Sequence, residues 1–326
     1  MTAAAKPGPL VKVTSPSFSR DPVLREELLA RFSRVAFNPT GMPLAGGALA
    51  EFLADADAAV IGIERVDEAL LECTPALRLV AKYGDGLDNI DAPACERRGV
   101  AVGWTPGVNA TAVAELTLGL MLALSSQSYR HALELRDGEW TRHGGALLSG
   151  KTIGVIGCGH VGREVVRLLQ PFGCRLLGND VADLSAWAPV AGVWPASKEE
   201  IFRTADVVTL HVPLTTATLG LVCARALATF RPAAVLVNTS RGEVVDQAAL
   251  AQALREERLA GAALDVHEDQ AAEGASLLRL PNVIGTPHIG DGAREAVLAM
   301  GRAAIGHLEQ FFASPGAAAV DEWLSA

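Results

Sequence analysis

The sequence predicts an α/β protein of two doubly wound domains, and three observations carry that expectation. Half of the 326 residues are hydrophobic and a fifth are charged, the balance of a chain that buries large cores. A chain of this length exceeds what a single core usually holds, so two domains are expected. Short apolar runs alternate with amphipathic runs along most of the sequence, the pattern of parallel strands covered by helices. Aromatic residues are scarce at 5%, and much of the apolar count is Ala, Val and Leu, which suits helices packed on parallel strands.

The first alternation runs through VKVTSP, DPVLREELLARF, RVAFN, GGALAEFLADA, DAAVIGI, RVDEALLECTPA, LRLVAKYG, DAPACERRG and VAVGW, ending near residue 103. The next segment, TAVAELTLGLMLALSS, predicts an apolar helix; it carries Glu115 and is short for a membrane span. QSYRHALELRDGEWTRHGGALLSG follows, polar and with little periodicity, and reads as an arm that either lies in solvent or wraps a partner subunit. A second alternation comprises TIGVIG, EVVRLLQPFG, RLLGND, DVVTLHVP, AAVLVNTS, DQAALAQALREERLAG, AALDV and NVIGTPHIG. A last amphipathic helix, AREAVLAMGRAAIGHLEQFFA, closes the pattern.

Composition excludes several functions. A net charge of −9 without a cluster of Lys and Arg argues against a nucleic-acid surface. The N-terminal MTAAAKPGPL lacks the apolar run of a secretory signal, so no membrane role and a cytoplasmic location are expected. Five cysteines without a CxxC pair suggest neither a disulfide framework nor a metal site.

The most informative stretch is KTIGVIGCGHVGREVVRLLQPFGCRLLGND. An apolar strand runs into Gly157, Cys158, Gly159, His160, Val161 and Gly162, and a helix begins at once. Gly157 permits a tight turn, Gly159 lets the backbone approach a pyrophosphate, and Gly162 allows close helix–strand packing. Amides and the dipole at the helix start favour an anion. Asp180 ends the next strand, where a carboxylate accepts ribose hydroxyls and repels a 2′-phosphate, so NAD is the expected cofactor.

Two further strand ends, LVNTSRGEVVD and VIGTPHIG, place Arg241 and His288 where ligands of open α/β sheets bind. A guanidinium can clamp a carboxylate and an imidazole can exchange a hydroxyl proton. The adjacent His267, Glu268 and Asp269 in LDVHEDQAAEG look like an acid–base cluster but match an ordinary solvated loop equally well.

In order, KYGDGLDNID, TPGVNATAVAELTLGLML, GKTIGVIGCGHVGREV, LHVPLTTATLGLV, VLVNTSRGEVVD, GAALDV and TPHIG resemble the signature segments of the D-2-hydroxyacid dehydrogenase family. SPSF and NPTGMPL look like its short phosphoglycerate-dehydrogenase-like branch. The resemblance implies a homodimer with a flavodoxin-like substrate domain, residues 1–103 plus 292–326, and a Rossmann NAD-binding domain, residues 104–291. The helix and arm at about 108–150 would form the dimer interface, and the active site would lie between the domains. By the same resemblance, the backbone of Gly84, Asp85 and Gly86 binds the substrate carboxylate and Arg241 pairs with it. His288 is the general acid–base, and Asp265 holds the nicotinamide carboxamide. His211, Pro213, Thr218, Thr239, Ser240 and Gly290 line the cofactor together with the glycine turn; the His211 ring could instead simply cap its strand.

The sequence departs from that pattern twice. Counting from Asp265 places Gln270 where the family has the Glu that pairs with the catalytic His, although Asp269 is one residue away. A carboxylate beside an imidazole raises its pKa by about 1–3 units, whereas an amide orients the ring without charge. Second, phosphoglycerate enzymes often carry an Arg where this chain has Ile61, Gly62, Ile63 and Glu64, with Arg65 and Arg20 as other sources of charge. Phosphonate-bearing, glyoxylate-like and larger apolar 2-keto acids all stay open as substrates, beside 3-phosphoglycerate. Two other readings of the fold are an NAD-binding regulator resembling a corepressor and a formate- or phosphite-dehydrogenase-like enzyme.

Overall fold

The computed structural model describes residues 8–142, 144–267 and 277–313. The chain forms two compact units, Met1–Asn109 with Gly292–Ala326, and Ala110–Asp291. The division falls after Asn109 rather than near residue 103, and side-chain bonds explain why. Trp104 Nε1 donates to the Asp85 carbonyl at 2.6 Å, the Gly107 amide to Asp85 Oδ1 at 2.6 Å, and Thr105 Oγ1 lies 2.9 Å from His307 Nε2. These bonds tie residues 104–107 to the first unit.

In the first unit, β1 (Leu10–Val13), α1 (Pro16–Arg20), α2 (Pro22–Leu29), β2 (Arg34–Phe37), α3 (Gly46–Leu53), β3 (Ala58–Ile61), α4 (Glu68–Cys73), β4 (Leu79–Lys82), α5 (Ala92–Arg97) and β5 (Ala101–Gly103) follow in order. All strands are parallel, in the order β2-β1-β3-β4-β5, which is the flavodoxin-like arrangement. Every residue of β3 and β4 is buried, as expected of strands covered on both faces. Helix starts are set by local chemistry: Asp21, Asp67 and Asp91 each accept amide bonds at an N-cap, and Pro occupies the first turn after Asp21 and Asp91.

The second unit contains α6 (Ala110–Ser126), α7 (Ser128–Arg136), β6 (Thr152–Ile156), α8 (His160–Leu169), β7 (Arg175–Asn179), β8 (Val193–Pro195), α9 (Lys198–Thr204), β9 (Val207–Leu210), α10 (Ala224–Leu227), β10 (Val235–Asn238), α11 (Gln247–Arg255), β11 (Gly261–Leu264) and β12 (Val283–Gly285). Its parallel sheet runs β12-β11-β10-β9-β6-β7-β8, the Rossmann order with one further edge strand. The chain then returns to the first unit as α12 (Arg294–Ala313). Met300, Ala304, Ile305, Leu308 and Phe311 of α12 are buried in the same core as Val13, Leu24 and Leu79. Burying each such large side chain stabilises by about 1.5–3 kcal/mol.

Part of the stretch read as an irregular arm is in fact α7. It leaves α6 at Gln127, whose φ is +55°, and the two helices are bent by 68°. No residue of α7 is buried, so it offered no apolar stripe to the sequence reading. The elements β8, α9 and α10 were also absent from that reading; all are short. Among the described residues no single helix is long and apolar enough to cross a membrane.

Candidate active site

At the carboxyl edge of the second sheet, β6 ends at Ile156 and Gly157 turns with φ +93°. A Cβ there would lie 2.4 Å from the His211 carbonyl oxygen, and one on Gly162 would lie 1.9 Å from the Gly157 carbonyl oxygen. A Cβ on Gly159 would meet nothing within 4 Å. The turn is therefore closed against the sheet at Gly157 and Gly162 and open at Gly159, as a backbone that receives a pyrophosphate requires. His160, Val161 and Gly162 begin α8, so their amides have no partner inside the helix.

Asp180 follows β7 and is partly buried. Its Oδ2 accepts from the Cys158 amide at 2.6 Å and its Oδ1 from the Ala182 amide at 2.9 Å. This pins the carboxylate beside the glycine turn while leaving lone pairs for a diol. The Cys158 thiol between them is buried and pushed up to about 12, first by burial and then by Asp180, so it carries no thiolate chemistry. The residues present fit a dinucleotide.

After β9, His211 Nε2 lies 2.9 Å from Thr209 Oγ1, while its Nδ1 is sealed from solvent and has no partner among the described residues. Burial pushes the ring down to about 3, so His211 is a neutral imidazole. The bond to Thr209 does cap the strand end. Thr218 Oγ1 donates to the Pro213 carbonyl at 2.6 Å and accepts the Thr215 amide at 2.8 Å, stapling the turn that follows.

After β10, the buried Asn238 organises the turn that carries Arg241. Its Oδ1 accepts from the Ser240 amide at 3.0 Å and the Ser240 hydroxyl at 2.8 Å, and its Nδ2 donates to the Arg241 carbonyl at 2.8 Å. Thr239 Oγ1 lies 2.9 Å from Thr117 Oγ1 of α6, and Arg241 Nη1 donates to the Ser240 carbonyl at 2.7 Å. Asn238 was not singled out from the sequence, although an Asn two residues before a Ser is an Asx-turn signal.

After β11, Asp265 is 1% exposed. Its Oδ1 accepts from Thr286 Oγ1 at 2.6 Å and the Ile289 amide at 2.8 Å, and its Oδ2 accepts from the Gly290 amide at 2.9 Å. Its carbonyl also receives the His288 amide at 2.9 Å. His288 has φ +53°, a left-handed backbone that this clamp maintains, and its side chain stands exposed. A Cβ on Gly290 would lie 3.0 Å from Asp265 Oδ2, so a side chain there would push on the clamped carboxyl group. His267 Nε2 lies 3.1 Å from the Thr286 carbonyl oxygen and donates to it. Glu268, Asp269 and Gln270 lie outside the described residues.

In the first unit, Gly84 follows β4 with φ +134°. Among the described residues no hydrogen bond uses the amides of Gly84, Asp85 or Gly86. Unengaged backbone amides are the groups that an oxyanion binds. The Asp85 side chain points away, onto the Gly107 amide.

A glycine turn, a helix start, a strand-end carboxylate, an arginine and a histidine at one sheet edge define a dinucleotide-binding oxidoreductase domain. The chain belongs to the D-isomer specific 2-hydroxyacid dehydrogenases: residues 118–290 match that family's NAD binding domain. It is 38% identical over 262 residues to the glyoxylate reductase of Pyrococcus furiosus, covering 77% of this chain and 78% of the relative. It is also 38% identical over 257 residues to the D-3-phosphoglycerate dehydrogenase of Methanocaldococcus jannaschii, covering 78% of this chain but 49% of that protein. The chain thus spans about half the length of its phosphoglycerate dehydrogenase relatives. A solved structure from Polaromonas sp. JS6 66, assigned as a D-isomer specific 2-hydroxyacid dehydrogenase, superposes with a TM-score of 0.85 at 26% identity, over 94% of this chain and 97% of that one.

The neutrality of His211 has a measurable consequence. Unfolded, the ring takes its proton near 6.5; folded, only near 3. Its contribution to stability is complete above pH 6.5 and declines as the pH falls, by up to about 1.4 kcal/mol per unit. Replacing His211 with Asn should flatten the denaturant-measured stability profile between pH 4 and 6.5, about the window between those values. An unchanged slope would show that His211 titrates normally in the folded chain.

Proposed function

We propose that the chain is an NAD-dependent dehydrogenase interconverting a D-2-hydroxy acid and its 2-keto acid. The observation that carries this reading is the Asp265 clamp, which holds an exposed His288 at the same sheet edge as the glycine turn and Arg241. When bound, NAD supplies hydride-transfer chemistry at C4 of its nicotinamide ring, directed at C2 of the substrate.

The protein's own residues do the rest. The start of α8 receives the pyrophosphate and Asp180 the ribose hydroxyls, and a carboxylate there disfavours a 2′-phosphate. Arg241 unfolds from the Ser240 carbonyl to pair with the substrate carboxylate and 2-oxygen. In the first unit, the free amides of Gly84, Asp85 and Gly86 are groups suited to binding a carboxylate. Neutral His288 takes the hydroxyl proton during oxidation, and its protonated form returns it during reduction. Asp265 acts first as the anchor of the His288 loop, and Gly290 lets that loop close on it. Thr239 and Ser240 shape the Arg241 turn, while His211, Pro213 and Thr218 form the neighbouring cofactor wall.

Exchange of His288 for Gln should lower kcat by about 10²–10⁴-fold while NADH still binds. Arg241→Ala should raise KM for the keto acid by about tenfold or more, as expected for a lost charge-assisted pair. NADH fluorescence titration and steady-state rates separate the two effects; full activity in either variant overturns the assignment. NADH binding by the unaltered protein without turnover of any keto acid would favour the NAD-binding regulator reading.

At position 270 an amide replaces the expected carboxylate, and we infer that His288 works without that negative charge. Gln270→Glu should raise the lower apparent pKa of the pH–rate profile by about 1 unit or more. A superimposable profile would remove Gln270 from the mechanism.

A homodimer in the cytoplasm is part of the same proposal. Leu122 of α6, Leu135 of α7, Trp140 and Leu147 are exposed apolar residues, and this continuous stretch supports burial against a second copy. Light scattering should give twice the 34.0 kDa chain mass, and Leu135→Arg with Trp140→Arg should reduce it. A wild-type monomer at micromolar concentration rules the dimer out. The cysteines are free, which suits a reducing compartment.

A further inference from the structure

The carboxylate of Asp180 is held through the Cys158 amide, and Cys158 is held at its other end as well. Its carbonyl accepts from Arg163 Nε at 2.9 Å, so a carboxylate grips the residue on one side and a guanidinium on the other. Arg163 stands in the first turn of α8, where its own amide donates to the Gly159 carbonyl at 2.9 Å. Gly159 caps that helix with no side chain, so no capping hydroxyl or carboxylate ties the glycine turn to α8. The Arg163 side chain supplies such a tie by reaching back to Cys158.

The same guanidinium lies over Trp187, its carbon 5.0 Å from the ring centre. Trp187 belongs to the loop after Asp180, and its half-buried ring packs on the core that contains Leu184 and Ala188. The amides of Trp187 and Ala188 both donate to the Leu184 carbonyl, at 3.2 and 2.8 Å, which fixes the loop where the ring stands. At the near end of the loop, the Ala182 amide holds Asp180 Oδ1. Asp180 therefore lies between two segments, the glycine turn and its own loop, and Arg163 touches both. A planar guanidinium can stack on an indole and donate in its own plane at the same time, which an ammonium cannot.

We propose that Arg163 is a positioning residue for the adenosine ribose of NAD. It holds Cys158 and Trp187 together, and so keeps Asp180 where its carboxylate accepts the ribose hydroxyls and repels a 2′-phosphate. Arg163 has this role only within the dinucleotide site of the dehydrogenase reading, and no substrate contact enters it. A cation that met the phosphates directly would favour the more highly charged NADPH at least as much as NADH. A residue that aims Asp180 favours NADH alone.

Fluorescence titration of the protein with NADH and with NADPH gives two Kd values and their ratio. The unaltered protein should bind NADH about tenfold or more tightly than NADPH. Arg163→Leu, at an exposed position, should weaken NADH binding by about three- to tenfold and lower the NADPH-to-NADH ratio of Kd by about threefold or more. Trp187→Leu, which leaves every charge in place, should lower that ratio in the same direction. Damage to the fold would weaken both dinucleotides alike, so the ratio separates positioning from damage. A ratio that stays unaltered in either variant, one that rises, or a ratio below about ten in the unaltered protein overturns the inference and leaves the dehydrogenase reading intact. If the unaltered protein binds neither dinucleotide, that reading fails, and the role of Arg163 with it.

Discussion

Asp265 accepts one hydroxyl and two backbone amides from a single short segment, Thr286 to Gly290, and its own carbonyl receives a third amide from His288. Hydrogen bonds to a buried charged group are worth about 1.5–3 kcal/mol each, and an unsatisfied buried carboxylate is expensive. The carboxylate and the loop therefore need each other. The clamp's bonds to the Ile289 and Gly290 amides, with the His288 amide on the Asp265 carbonyl, hold His288 at positive φ. The other strand ends are shaped more locally: Asn238 bonds within three residues of itself and Thr218 within five.

Electrostatics at this edge follows from burial. His211 is held neutral and Cys158 is held as a thiol, both because the sheet's carboxyl ends exclude water. The carboxyl groups at this edge have bonds around them: Asp180 takes two amides, and Asp265 one hydroxyl and two amides. Among the described residues His160 and His288 are the exposed imidazoles at this edge.

Much of this architecture was legible in the sequence, for reasons that can be named. Strands such as AAVI and VVTL are buried throughout and read as unbroken apolar runs. The glycine turn announces itself because Gly157 and Gly162 tolerate no Cβ. The helix α7 was illegible because none of its residues is buried, and β8 because it is three residues ending in Pro. The Asp265 clamp was illegible too: its bonds join residues 21 to 25 positions apart, and no local pattern encodes them. Glu64 reads as an ordinary loop acid until its burial and its bond to Thr14 are seen.

The first unit takes its core from both ends of the described chain, whereas the second is one continuous run, 110–291. During synthesis the second unit is complete before α12 leaves the ribosome, and it can fold as a finished body. The first unit has to wait. Until Met300, Ile305 and Leu308 arrive, the apolar face formed by Val13, Leu24 and Leu79 stays bare. The first unit's core is thus the one that the chain can close only after residues 294–311 are available. The order of assembly is written in where the chain crosses back.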